Sequence, residues 1–379
     1  FFSDWASNWV KAIDVDNTGD VLDFAKDLDS PVWIESHPDG SLWVLSRGTI
    51  WRDGKKFKEN AGNLARYRYV GEGKGGGNQE EPLPDTLSAV GIFAEVSDLR
   101  PAKDARSFTL NAPIWQPGVT LENWVLLPGK GKIKYSETED WIFPMDTILA
   151  QHYTAMNGSA HETHVYWSRG DGTYRAAAYD WKKDSTDAVI ITRAKVELIP
   201  GSDILWISPA PERVLNPKNA LVGFVPQFNT RQLNDGKLIA SWNKKGLFEK
   251  KLNKTQLKAL PQLVGLNNEA ASLDLRVRSY FDSNCAVCHH PGGPSRGNFD
   301  ARFSTPLEEQ QIVYGVLMAG DMGIPNAKLV VPGDPGSSIL YQRMKAKDAF
   351  KMPPVAIHGK DSPAIPLVEK WIKHLEAKK

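Results

Sequence analysis

Cysteine is nearly absent from this 379-residue chain: there are two, Cys285 and Cys288. Two cysteines cannot build a disulfide framework, and a structural zinc site of the usual kind wants about four Cys or His ligands. Charge of one sign is also lacking. The formal net charge is +1, which gives no electrostatic case for nucleic acid or an anionic membrane as partner. Apolar runs are far too short to span a bilayer, so no transmembrane segment is expected. There is no P-loop, no G-x-S-x-G and no G-x-G-x-x-G leading into a helix. No pair of acids is placed by motif for acid–base chemistry, and "GEGKGGG" lacks the strand, helix and Lys-Ser/Thr order of a phosphate loop. No start methionine or signal peptide is present, so a chain beginning "FFSDWASNW" is expected to be processed or a fragment.

The two cysteines carry the clearest chemistry. They stand in "YFDSNCAVCHHPGG" (residues 280–293) as C-x-x-C-H, the attachment signature of haem c. Each thiol adds to one vinyl group of the haem, and two intervening residues set the spacing. The next residue, His289, is then directed at the iron. A thioredoxin-like dithiol would need a βαβ setting, whereas this region reads as helical. Cys285 and Cys288 are therefore assigned as anchors of one covalent haem c, and His289 as its proximal metal ligand. Such attachment takes place outside the bacterial cytoplasm, which predicts a periplasmic or extracellular protein. With both thiols consumed, no disulfide is expected.

The second axial ligand is sought among Met318, Met322, Met344, Met352 and His358. Met352 is the choice. It sits in "KMPPVA", where two prolines forbid a helix and let the side chain project from an extended loop. A thioether ligand stabilises Fe(II) and raises the potential. Met318 and Met344 fall on expected helices and read as core.

Thirteen tryptophans and 25 prolines suggest much strand and loop. Residues 1–70 look β-rich: "SPVWIESHPDGSLWVLSRGTIWRDGKKF" alternates apolar and polar residues around Pro38-Asp39-Gly40, with Asp53-Gly54 as a second turn. The unit resembles the strand-turn-strand of a quinoprotein sugar dehydrogenase propeller blade, though no repeat of it follows. Residues 71–84, "GEGKGGGNQEEPLP", are a linker by composition. Residues 85–270 carry recurrent short strands and tight Gly turns, as in an antiparallel sandwich or barrel, ending in an irregular and then helical tail around "KTQLKALPQLVGL". In residues 271–379 four helices are expected, over "LDLRVRSYFDSNC", "PLEEQQIVYGVLMAG", "SSILYQRMKA" and "PLVEKWIKHLEAKK". The second would put Ile312, Val313, Val316 and Leu317 on one face. Short helices around a single C-x-x-C-H suit a class I cytochrome c domain. The fold expected is therefore multidomain: a β-rich N-terminal region, sandwich- or barrel-like with a propeller-like fragment at its start, then an α-helical class I cytochrome c domain.

The order of "LSAVGIFAE", "NAPIWQPGVTLENWVLLPG", "WIFPMDTIL", "YRAAAYDWKKDSTDAVI", "TRQLN", "YFDSNCAVCHHPGG", "VVPGDPGSSILYQRM" and "KMPP" resembles a family of exported bacterial c-type cytochromes usually described as dihaem. Some members are attached to propeller or quinoprotein-like segments. The resemblance spans roughly residues 86–375 and implies electron transfer. It departs at one place: the family's first C-x-x-C-H belongs before "QLN", where this chain reads "WISPAPERVLNPKNALVGFVPQFNTRQLN" with no cysteine and no histidine. A monohaem relative is implied. Its partners would be redox proteins, either as a free carrier or as the electron-exit subunit of a quinoprotein-type dehydrogenase complex.

Three of the eight histidines fall close together in "QHYTAMNGSAHETHVYW": His152, His161 and His164. Three imidazoles would suit copper or zinc in a metal-dependent β-domain enzyme. His152 and His164 would meet across a hairpin turned at Asn157-Gly158. The favoured reading is plainer: partly exposed strand residues with hydrogen-bonding roles.

Overall fold

The computed structural model describes the chain except for residues 5–6, 14–20, 27, 29, 38–40, 48–61, 68–82, 210–213, 215–227, 294, 349, 354–361 and 376–379. The expected turns at 38–40 and 53–54, almost all of the 71–84 linker, most of the segment where a first haem motif would stand, and His358 lie outside the described residues. By contacts the chain divides into two compact units: Phe1–Glu81 with His289–Asn298, and Pro82–Cys288 with Phe299–Lys379.

The first unit holds two three-stranded antiparallel sheets. One is β1 (Phe2–Asp4), β2 (Trp9–Ile13) and β3 (Val21–Ala25); the other is β4 (Pro31–Ser36), β5 (Leu42–Ser46) and β6 (Asn63–Tyr67). Both follow chain order, so each is a simple meander. Val10, Leu42 and Val44 form its small buried core.

The second unit is built on one six-stranded antiparallel sheet. Its strands are β9 (Arg106–Phe108), β10 (Val119–Leu126), β11 (Ile148–Ala155), β12 (Ala160–Ser168), β13 (Tyr174–Trp181) and β14 (Ala188–Ile190), paired in chain order. Earlier in the chain come α1 (Leu87–Val90) and the short pair β7 (Phe93–Glu95) and β8 (Arg100–Pro101). A separate hairpin, β15 (Lys195–Leu198) and β16 (Leu205–Ser208), follows the sheet. The β11–β12 turn falls at Asn157-Gly158, where Gly158 has φ 86°, a left-handed conformation that glycine adopts without Cβ strain.

Successive strand residues face opposite sides, and both sides of this sheet are buried. On one, Trp124, Ala150, Val165, Ala177 and Tyr179 pack with Leu87, Val90, Ile92 and Phe93. On the other, Val125, Leu149, Tyr166, Ala176 and Ala178 pack with Ile133, Trp141, Phe143, Phe228, Ile239 and Trp242. Double-sided burial also encloses polar residues of β11 and β12, among them Gln151, His152, Thr163 and His164.

The α-helical class I cytochrome c domain expected for residues 271–379 is not what the structure shows. The described residues of that region contain three short helices, here numbered after α2 (Thr230–Leu233), α3 (Leu238–Lys244) and α4 (Lys254–Ala259): α5 (Leu273–Asn284), α6 (Ile339–Lys345) and α7 (Ile365–His374). The other described residues there form turns, isolated β-bridges and irregular backbone. The helix expected over 306–320 is absent. Gln311 and Tyr314 sit at φ 56° and 54°, in the left-handed region, which interrupts any i→i+4 ladder. The segment bonds across the chain instead: the Tyr314 amide donates to the Val330 carbonyl at 2.8 Å, and the Leu329 amide to the Gly315 carbonyl at 3.0 Å. Ile312 is buried while Val316 is 75% exposed, so the four apolar residues do not share a face.

Candidate functional site

Helix α5 presents the first cysteine. Ser272 caps its start by accepting from the Leu275 amide at 3.2 Å, and Val277, Tyr280 and Phe281 bury one side against Trp371 and Ile372 of α7. Its last turn is polar yet buried. Asp282 accepts from Nε of Arg231 at 2.8 Å and from the Phe303 amide at 2.8 Å. The Ser283 hydroxyl donates to the Ala112 carbonyl, and Asn284 accepts from the Trp115 amide at 2.8 Å. These bonds tie the end of α5 to the segment before β10, so the position of Cys285 is fixed from two directions.

Cys285 closes the helix, its amide donating to the Phe281 carbonyl at 2.9 Å, and the Cys288 amide donates to the Cys285 carbonyl at 3.0 Å. The two cysteines are not joined in a disulfide. Burial pushes the Cys285 thiol up to about 12, and the adjacent Cys288 adds to the effect. In the first unit, Nε2 of His289 lies 3.3 Å from the Ser295 hydroxyl. In the second, Met352 is half-buried, with its amide donating to the Arg343 carbonyl at 2.9 Å. Met344 belongs to the core as expected, but Met318 is exposed and lies outside any helix.

The three histidines of the sheet are not partly exposed, and they do not converge. His152, His161 and His164 are all buried. His152 stands opposite Thr163, and Gln151 stands opposite His164, so His152 and His164 point to opposite faces of the sheet. The pairing register shifts beside Tyr153 and Thr154, and His161 falls at that irregularity without a direct strand partner. Each ring meets a different aromatic edge: His152 meets Trp181, His161 meets Trp206, and His164 meets Tyr153, with centroids 5.1, 5.1 and 5.0 Å apart. Among the described residues no group of three or more His, Cys, Asp or Glu could hold a metal ion.

What the second face carries instead is a row of polar side chains between two apolar clusters. Asn123, Gln151 and His164 lie side by side on β10, β11 and β12. In the next row, Leu121, Tyr153, Glu162 and Asp180 are in register across β10 to β13. Glu162 Oε1 lies 2.5 Å from Nε2 of His164. The Tyr166 hydroxyl donates to Gln151 at 3.1 Å, and the Gln151 amide donates to Asn123 at 3.2 Å.

The β15–β16 hairpin brings further polar groups to this neighbourhood. Its pattern is inverted relative to a surface hairpin: Val196 and Leu198 are 61% and 55% exposed, whereas Trp206 and Ser208 are buried. Lys195 and Glu197, opposite Ser208 and Trp206, share that inner side. Lys195 bonds Asp180 of β13 at 2.7 Å and Glu197 at 2.9 Å, pinning hairpin to sheet. Four buried polar atoms of the neighbourhood have no hydrogen-bond partner: His161 Nε2, Glu162 Oε2, Trp206 Nε1 and Ser208 Oγ. Each such orphan costs on the order of 1–3 kcal/mol.

Sequence reasoning singled out the histidines and passed over Glu162, Tyr153, Trp206 and Ser208. Two signals were there. "HETHVYW" places a carboxylate between histidines in a strand that runs on into apolar "VYW", and "KVEL" alternates charge with apolar residues that a hairpin could turn either way.

Comparison with known protein families, with curated proteins and with solved structures gives no match for this chain.

Proposed function

We propose that the chain is a monohaem c-type electron carrier acting outside the bacterial cytoplasm. The observation that carries this reading is C-x-x-C-H at 285–289, formed from the only two cysteines of the chain and followed at once by an imidazole. No disulfide joins the two cysteines, so the donor set fits covalent haem attachment. Cys285 and Cys288 would hold the haem through thioethers, and His289 and Met352, the latter from its place in "KMPP", would ligate its iron. The haem would supply a one-electron couple, raised in potential by the thioether. The chain's part is to hold the anchor still. Arg231, Gln232 and the 112–115 segment brace the last turn of α5, from which Cys285 follows directly. Electrons would enter and leave through redox partner proteins. Among the described residues no helix is long and apolar enough to cross a membrane.

The test is production of the chain with an export signal in a bacterium that matures c-type cytochromes. We expect one covalent haem per chain by pyridine haemochrome and mass, and none in the Cys285→Ser, Cys288→Ser double variant. A haem-free wild-type product, in cells that mature a control cytochrome, would refute the reading. Loss of the methionine-to-iron charge-transfer band in Met352→Ala checks the second ligand, and an unchanged band would exclude it.

A further inference from the structure

Helix α6 ends beside the segment that carries Met352. Its Ile339, Leu340, Tyr341 and Met344 are buried, and the last three pack in one core with Trp371 and Ile372 of α7, so the helix is a fixed support. Arg343, half-buried near the end of that helix, meets three points. Its carbonyl accepts from the Met352 amide at 2.9 Å. Its Nη2 donates to the Ala319 carbonyl at 2.7 Å. Its guanidinium lies over the Phe350 ring, with Cζ 5.4 Å from the ring centroid.

The residues before Met352 close a turn on themselves. The Phe350 amide donates to Asp348 Oδ1 at 2.9 Å, and the Lys351 amide donates to the Asp348 carbonyl at 3.1 Å. Phe350 is 45% exposed, so burial does little to hold this turn against the protein. The Arg343 side chain supplies a hold instead. It stacks on Phe350 from α6 and bonds the backbone at Ala319, next to Gly320 at φ 84°. One side chain therefore ties the Met352 turn to a second loop, while the backbone of the same residue ties Met352 to the helix. A ligand carried on a loop keeps its place only as far as neighbouring contacts lock that loop. When the loop opens, a competitor takes the vacated position, and its apparent affinity follows the fraction of chains that are open.

We propose that Arg343 is a positioning residue for Met352: its guanidinium holds the turn from Asp348 to Met352 closed and so sets how firmly the thioether stays on the iron. The inference rests on the haem reading above and adds to it the residue that governs ligand exchange.

The experiment is imidazole titration of the ferric holoprotein, loaded with haem during export and followed by loss of the methionine-to-iron charge-transfer band. Arg343→Leu removes the guanidinium. Its haem content by pyridine haemochrome is expected to equal that of the wild type, while half-saturation falls to about one tenth of the wild-type imidazole concentration. Arg343→Gln, which keeps an amide donor, lies between; it decides the comparison where Arg343→Leu yields too little holoprotein. Lys345→Gln removes a positive charge from the same end of α6 and titrates as the wild type does. Half-saturation at the wild-type concentration in the Arg343 variants would overturn the proposal. So would an equal shift in Lys345→Gln, because net charge and not the clamp would then be at work. The two readings fail separately. A wild type with covalent haem but no charge-transfer band removes Met352 as a ligand and this proposal with it; a wild type with the band and unaltered Arg343 variants removes this proposal alone.

Discussion

Glu162 and His164 lie two residues apart on β12, and Oε1 of the first is 2.5 Å from Nε2 of the second. Strand geometry puts i and i+2 on one face, so the chain itself delivers the pair. Its burial is tertiary: both residues are under 2% exposed, beneath Tyr153 on the neighbouring strand. A buried hydrogen-bonded pair of this kind is costly to break from one side, because the remaining partner stays out of water. Glu162→Ala is therefore expected to destabilise the second unit by about 3 kcal/mol. Urea unfolding followed by tryptophan fluorescence checks this, and a change below 1 kcal/mol would show that the pair is not buried as described.

His152 sets a pH dependence. Burial holds its imidazole down at about 4 instead of the usual 6.5, and His161 nearby acts in the same direction. The folded state thus resists a proton that the unfolded chain accepts. Stability is full above about pH 6.5, falls as the pH drops from there, and levels off below about 4. The total loss is about 3 kcal/mol. His152→Asn keeps a side-chain partner for Thr163, whose Oγ1 lies 2.8 Å from Nδ1 of His152, while removing the titration. Unfolding free energies between pH 7 and 4 are expected to fall less steeply in that variant; parallel curves would exclude His152 as the source.

Arg231 and Asp282 join α2 to the end of α5 at 2.8 Å, with the Asp282 side chain fully buried. Arg231→Met leaves that carboxylate with the Phe303 amide but without its cation. The expected cost is about 3 kcal/mol. It is read as a lowered melting temperature, and Arg231→Lys recovers only part of it because the ammonium lacks the guanidinium's fork.

The turn over 311–314 can be tested against the helix that the sequence suggested. Gln311 is an exposed, left-handed residue at φ 56°. Gln311→Gly relieves that conformation and is expected to be neutral or stabilising by up to about 1 kcal/mol. Were the segment helical, the same change would cost about 1 kcal/mol. Denaturation midpoints separate the two outcomes by sign.

Much of the second unit is legible locally. Strand runs such as "HVYW" and "YRAAAYDW", the turn at Asn157-Gly158 and the helix ending at Asn284 all appear where alternation, turn residues and capping place them. Asn253 and Gln256 even form the reciprocal capping box that starts α4. The failures lie where distant partners decide. "PLEEQQIVYGVLMAG" has helical spacing, but its amides and carbonyls find 329–330, and those bonds replace a helix. The histidines look like a cluster on the page, yet a strand register and one irregularity send His152 and His164 to opposite faces.

The C-x-x-C-H spacing, the scarcity of cysteine and the strands of the main sheet are legible along the chain. These are properties of near neighbours along the chain. Which face each side chain occupies, that β15 and β16 turn Lys195, Glu197, Trp206 and Ser208 inward, and that four polar atoms are left there without partners, is set by the folded arrangement. Those facts depend on register and on burial, and both are set by contacts between residues far apart in sequence.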